Sequence, residues 1–292
     1  MVFLIYAIIS GLLFGLFFAF VGAGLNLLFG VLKLVNLAHG DLVVVGGYLA
    51  YEVSVKLGIN PMLAVPLGVI PAFVLGVGLY YGTVPRLSRA EDTETTSLVL
   101  FFGVSMIIEA LATILFGNNL VSLSPLTFGP AVQLFGQSLP SYWLVAGGIT
   151  IPALVIFYLY LYRSQFGTAT RAVMVNSDEA ASSGINVRRI SAIAFGVGAV
   201  FAVASGPLAL FMLGGISPGT GIDLTLTAFT VIVIGSLGNP IGTVIGGLLY
   251  GLVLSFVQTY LSSWAAAVPY VLMLAVLLIK PSGILGKRVR NA

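Results

Sequence analysis

The sequence predicts an all-α, polytopic membrane protein with about 8–10 transmembrane helices, some of them broken or re-entrant. Three observations carry this. Of 292 residues, 59% are hydrophobic and only 7% charged, whereas roughly a quarter of the residues in soluble domains are charged. Residues 2–32, 110–162, 190–222 and 224–279 contain no Asp, Glu, Lys, Arg or His, and each run exceeds the ~20 residues that carry a helix across hydrocarbon. The runs are also apolar on every face, whereas strands of a membrane barrel alternate.

Taken in order, spans are expected at 2–32, 38–57, 61–82, 97–117, 140–162, 190–213, 224–238, 242–261 and 265–279. The first has no A-x-A-like cleavage site and is about twice as long as the apolar core of a signal peptide, so it is expected to remain as a helix. Nine crossings from an outside N-terminus leave the C-terminus cytoplasmic. That frame puts Lys33, Arg86, Arg89, Arg163, Arg171, Arg188, Arg189, Lys280, Lys287, Arg288 and Arg290 inside and only Lys56 outside, which is the positive-inside pattern. A net charge of +3 from twelve basic residues is too sparse for a nucleic-acid surface. The absence of cysteine excludes disulfides and thiolate metal sites.

The chain reads as one transmembrane domain, 1–292, with a cytoplasmic loop at 163–189. That loop is polar and basic, with Ser177 expected as a helix N-cap and Asp178 and Glu179 complementing the helix start. It suits either a solvated connector or a docking knob for a soluble partner. The uncharged, turn-rich stretch 118–139 suits an outer surface or a plug. Gly22, Gly24, Asn26 and Gly30 weaken the end of the first span, and GSLGNPIG (235–242) is either a break at membrane depth or a cytoplasmic turn. Asp41 followed by VVVGG and Asp223 followed, nine residues on, by IVIGS echo each other. In the nine-pass frame they lie on opposite faces five crossings apart, as an inverted repeat requires.

Little in the chain suggests catalysis. No G-x-x-x-x-G-K-[ST] motif occurs, so any ATP would be bound by another subunit. GISPG (215–219) fits G-x-S-x-G, but Pro218 follows Ser217 and the lone histidine is expected across the membrane, so Ser217 is not expected to be a nucleophile. One His without clustered carboxylates offers no metal site. The pairs Gly11/Gly15, Gly242/Gly246 and Gly247/Gly251 are expected to let helices pack closely.

The polar residues inside spans are the candidate path. Ser105, Glu109 and Thr113 recur at i, i+4 and i+8, so one helical face should point at protein or at a water-filled route. VNLAHGDLVVVGGYLA (35–50) holds the only histidine, His39, two residues from Asp41. At a turn on the inner face, Asp41 can stabilise the helix start while Asn36 and His39 bond backbone groups, or the group can form a gate or an inner substrate contact. Asp223 either opens the seventh span or meets a substrate's ammonium group or a basic patch on a partner protein.

NLAHGDLVVVGGYLA, GTATRAVMVNSDEAASSGIN, SPGTGIDLTLTAFTVIVIGSLGNPIGTVIGGLLYG (217–251) and the closing KPSGILG (280–286) together resemble the LivH-type membrane permease subunits of branched-chain amino-acid ABC importers. The match runs in order along nearly the whole chain. It implies a permease in a prokaryotic cytoplasmic membrane that pairs with a second permease, sits on two ATPase subunits holding the ATP, and receives substrate from an extracytoplasmic binding protein, with no cofactor of its own. EAASSG (179–184) is similar to the E-A-A…G loop by which such permeases contact their ATPases, with the glycine one residue early. Arg171, Asp178, Glu179, Ala180, Ala181 and Gly184 are the docking residues this implies. Urea and short-amide permeases share the pattern, and a self-sufficient secondary transporter coupled through Glu109 or Asp223 is the reading from another class.

Overall fold

A computed structural model describes residues 2–87, 91–134 and 136–286. Arg89, Lys287, Arg288 and Arg290 lie outside the described residues. Each expected span is a helix: α1 Val2–Leu32, α2 His39–Leu57, α3 Ala64–Leu87, α4 Thr93–Phe116 and α5 Ser141–Arg163, then α8 Val187–Met212, α9 Thr220–Gly235, α10 Pro240–Tyr260 and α11 Val268–Ile279. Two short helices, α6 Gln165–Val175 and α7 Ser177–Ser182, fill the 163–189 loop. Among the described residues, seven helical segments are long and apolar enough to cross a membrane. The other two, α2 and α9, fall short for different reasons: α2 carries Asp41, Glu52 and Lys56, and α9 has 16 residues.

Helix starts follow local chemistry. Asp92 caps α4 by accepting from the Thr95 N–H, and hydrogen bonds from the Thr95 hydroxyl and N–H hold its carboxyl below the usual range. Asn239 caps α10, accepting from Ile241 and Gly242 N–H, with Pro240 in the first turn. GSLGNPIG is therefore the turn between α9 and α10. The stretch 118–139 contains a short 3-10 helix, Pro125–Phe128, and a hairpin of β1 Val132–Leu134 and β2 Gln137–Leu139, in register Val132↔Leu139. It is strapped over the α8–α9 connection by a bridge between Val121 and Ile216.

The centre is built from α1, α2, α8, α9 and α10, and the packing has an internal order. Helix α1 packs along α10 as α8 packs along α3. Helix α2 lies on α8 as α9 lies on α1, and α4 flanks α2 and α3 as α11 flanks α9 and α10. Exchanging α1–α4 with α8–α11 maps each pair onto the other, and exchanged helices run in opposite directions in a nine-pass chain. This is the pairing that an inverted repeat requires.

Small residues permit these contacts. A Cβ on Gly15 would lie 2.7 Å from Leu248 Cα, and one on Gly11 2.8 Å from Leu252 Cα, so the α1–α10 seam is glycine-dependent as expected. On the related seam, a Cβ on Gly76 of α3 would meet Gly196 Cα at 2.9 Å. Ser10 and Ser255 hydroxyls bond across α1 and α10. By contrast, α3, α4 and α11 expose Ile70, Ile114 and Leu278 (74–78%), a surface suited to lipid or a membrane partner.

Candidate functional site at the meeting of two helix starts

The sequence frame places Asp41 and Asp223 on opposite faces, and the structure corrects this. The first turns of α2 and α9 touch in the interior: a Cβ on Gly40 would collide with the Gly221 carbonyl oxygen, and one on Gly221 with the Asp41 carboxylate. Depth follows from His39, whose Nε2 lies 3.0 Å from Val21 O. Val21 is three turns before the end of α1, ~16 Å back along its axis. The six-residue link 33–38 can span ~20 Å when extended, so it returns the chain from the end of α1 to near its middle. Asp223 likewise shares a 390 Å³ cavity with Phe18, close to the midpoint of α1, and with Tyr250 and Tyr270.

At the junction, Thr225 Oγ1 accepts from Gly40 N (2.8 Å) and lies 3.0 Å from both Leu37 O and Gly221 O, with its proton free to serve either. Asn36 Oδ1 accepts from Ala38 N at 3.1 Å. Since a carbonyl only accepts, His39 Nε2 carries the proton, and Nδ1 has no partner. His39 thus reaches α1 and not Asp41. Ser217 bonds Thr220, so no serine–histidine pair forms. Among the described residues no cluster of His, Asp and Glu fits a metal ion.

Asp41 is 1% exposed and neither carboxylate oxygen completes a hydrogen bond. Its surroundings are the first turns of α2 and α9, whose dipoles favour an anion, with Ser105 and Glu109 of α4 as its side-chain neighbours. The polar face expected on α4 is graded. Ser105 is buried and Glu109 half-buried, but Thr113 is exposed, because the buried row runs Ser97, Phe101, Ser105, Ala112. Glu109 sits at the start of α9, its Oε1 3.8 Å from where a Gly219 Cβ would be. The structure therefore gathers Asp41, Ser105 and Glu109, turns His39 and Asn36 to backbone groups beside them, and leaves Thr113 and Asp223 on other faces. Gly40, Gly221 and Thr225 are added by the structure. Their partners are some 180 residues away in the chain, and no local pattern announces them.

The family described as branched-chain amino acid transport system / permease component has a sequence model that matches residues 7–277. The chain belongs to that family. Curated relatives match along their length. The high-affinity branched-chain amino acid transport permease LivH of Escherichia coli K12 is 27% identical over 290 residues, covering 95% of this chain and 94% of its own. BraD of Pseudomonas aeruginosa is 28% identical over 294 residues, with 96% and 95% covered. A probable LivH permease of Methanocaldococcus jannaschii is 27% identical over 277 residues, with 90% and 86% covered. No solved structure matches.

In this permease-family chain the 163–189 loop is two docked helices. Helix α6 starts on Ser164, which accepts from Gly167 N, and buries Gly167, Thr170, Val173 and Met174. Lys33 Nζ donates to Met174 O at 3.0 Å, tying α6 to the end of α1. Arg171 is not free on the surface: its Nε donates to Leu161 O (2.9 Å) and its guanidinium lies over Tyr162. The cap of α7 is Asn176 and not Ser177. Asn176 Oδ1 accepts from Asp178 and Glu179 N–H while Nδ2 donates to Glu179 Oε1. A reciprocal cap from Ser177 would need an acidic residue at Ala180. Ala180 is buried and anchors α7, and Asp178, Glu179, Ala181 and Gly184 are exposed. Gly184 closes the turn at φ +83°.

Proposed function

We propose that the chain is the transmembrane permease subunit of an ATP-driven importer for branched-chain amino acids in a prokaryotic cytoplasmic membrane. The supporting observation is family membership over residues 7–277, joined to a membrane domain with a capped, surface-exposed loop at 163–189. The chain has no phosphate-binding loop of its own, so ATP belongs on partner ATPases. The α6–α7 unit is their docking surface: Asp178, Glu179, Ala181 and Gly184 are presented to the partner, and Ala180 and Arg171 hold the unit to the membrane domain. A second permease covers the exposed membrane face, and an extracytoplasmic binding protein delivers substrate. The path runs past Asp41, Ser105 and Glu109, where the starts of α2 and α9 meet near the middle of the membrane. Motion reaches that junction from α6 through Lys33, the end of α1 and the 33–38 link.

Affinity purification of the tagged chain from its own host should recover ATPase subunits and a second permease. Gly184→Val should cut ATPase recovery about tenfold while the membrane domain still purifies, because a β-branched residue resists the left-handed conformation. A chain that purifies alone from gently extracted membranes overturns the assignment.

A further inference from the structure

Helix α5 is the span that the exchange of α1–α4 with α8–α11 leaves out. Against α1 and α10 it leaves a groove of about 520 Å³, lined by Leu16, Ile151, Val155, Leu159, Ile241 and Val244. The groove is apolar except at one end, where Tyr158, Tyr162 and Arg163 close it. From Ile151 to Arg163 the helix rises ~18 Å, close to the depth of one leaflet in a hydrocarbon core ~30 Å thick. Tyr158 and Tyr162 stack (centroids 5.4 Å apart, planes at 14°), and such rings mark the level of the membrane interface. Arg163 is exposed and, among the described residues, has no ion-pair or hydrogen-bond partner. The cations around it are committed, Lys33 to Met174 O and Arg171 to Leu161 O and the Tyr162 ring. A bare guanidinium at the end of an apolar groove is matched by a phosphate that carries a hydrocarbon chain.

We propose that this groove binds an anionic phospholipid of the cytoplasmic leaflet, with the phosphate on Arg163 and one acyl chain laid along α5 between α1 and α10. The positive-inside frame puts the Arg163 end in that leaflet, whose surface is negative, and a guanidinium presents paired N–H donors to phosphate oxygens. A helix of a second permease fits this groove less well, because an apolar helix brings no anion to Arg163. The broad apolar face open to such a partner lies on other helices, α3, α4 and α11. The bound lipid also bears on the α6–α7 unit: Leu161 O and Tyr162, next to Arg163 on α5, are the groups that Arg171 of α6 holds. The site does not depend on what the chain transports.

The test is photolabelling of the chain, purified with its partners, in phosphatidylcholine nanodiscs doped with a diazirine phospholipid, with adducts located by mass spectrometry. A phosphatidylglycerol probe should label α5 and the start of α10 about fivefold more than a phosphatidylcholine probe with the same chains. A diazirine at the chain end should mark Ile151 and Val155, and one next to the ester should mark Tyr158 and Tyr162. Arg163→Gln should bring phosphatidylglycerol labelling down to the phosphatidylcholine level, and Arg163→Lys should keep most of it. Val155→Trp, which fills the groove from an exposed position, should remove labelling by both probes while the protein still purifies. Equal labelling by the two headgroups, labelling unchanged in Arg163→Gln, or the opposite order of adducts along α5 would overturn the proposal. So would adducts that form on the isolated chain and vanish in the complex, since a protein partner would then cover the groove. If the chain purifies alone, the permease reading fails and the labelling still decides the lipid site.

Discussion

Gly40→Ala is expected to remove nearly all transport and most of the folded protein. A Cβ there would overlap the Gly221 carbonyl oxygen and come within 2.6 Å of Thr225 Oγ1 and 2.7 Å of Thr225 N. Two of these obstacles are backbone atoms of α9, which cannot rotate away as a flexible side chain would. Overpacking typically costs about 1–3 kcal/mol, and separating α2 from α9 would also break the Gly40–Thr225 bond in the interior. Gly78→Ala in α3 is the control. Gly78 is exposed with nothing within 4 Å of an added Cβ, so alanine should be neutral or stabilise the helix slightly. Thermal unfolding in detergent, followed by size-exclusion chromatography, compares the two variants. An unshifted Gly40→Ala would mean that the helix starts do not meet as described.

Asn26→Leu is the second large effect. Asn26 is 1% exposed inside α1 and holds the α9–α10 turn by three bonds: Nδ2 donates to Asn239 O (2.8 Å) and to Thr243 Oγ1, and Oδ1 accepts from Gly238 N (2.6 Å). Leucine leaves the Gly238 N–H without a partner, while Asn239 O keeps its bonds from the Thr243 N–H and hydroxyl. At ~1–3 kcal/mol for an unpaired buried group, the loss is about 1–3 kcal/mol. The melting temperature should fall, and proteolysis within 236–239 should accelerate. Wild-type melting in Asn26→Leu would contradict the stapling role.

The spans were legible because length and uniform apolarity are local properties, and all nine expected segments are helices. Depth was not. The link 33–38 reads as an ordinary turn, and only the His39–Val21 bond, joining residues 18 apart, reveals that it climbs back to mid-membrane. This is why His39 and Asp41, expected at the inner face, lie in the interior. The Asp41/Asp223 echo marks two helix starts, but placing both acids on opposite faces missed that those starts converge. On α4 the four-residue spacing identified Ser105 and Glu109 and overextended to Thr113, because the buried row shifts to Ala112. For α7, N-x-x-E at 176–179 was a readable cap that the serine next to it obscured. Arg171 reads as a docking residue in the sequence, and its bond to Leu161 O and its seat over Tyr162 depend on how α6 folds against α5.

On the proposed reading, this chain passes an amino acid through itself only when partner ATPases hydrolyse ATP. The direct measurement is leucine accumulation in proteoliposomes holding the complete importer, with the binding protein on the outer side, and ATP supplied or withheld on the ATPase side under imposed and collapsed ion gradients. Concentrative uptake that requires ATP and ignores the ion gradients is the predicted result. Uptake by this chain alone, driven by a proton or sodium gradient and indifferent to ATP, would contradict it.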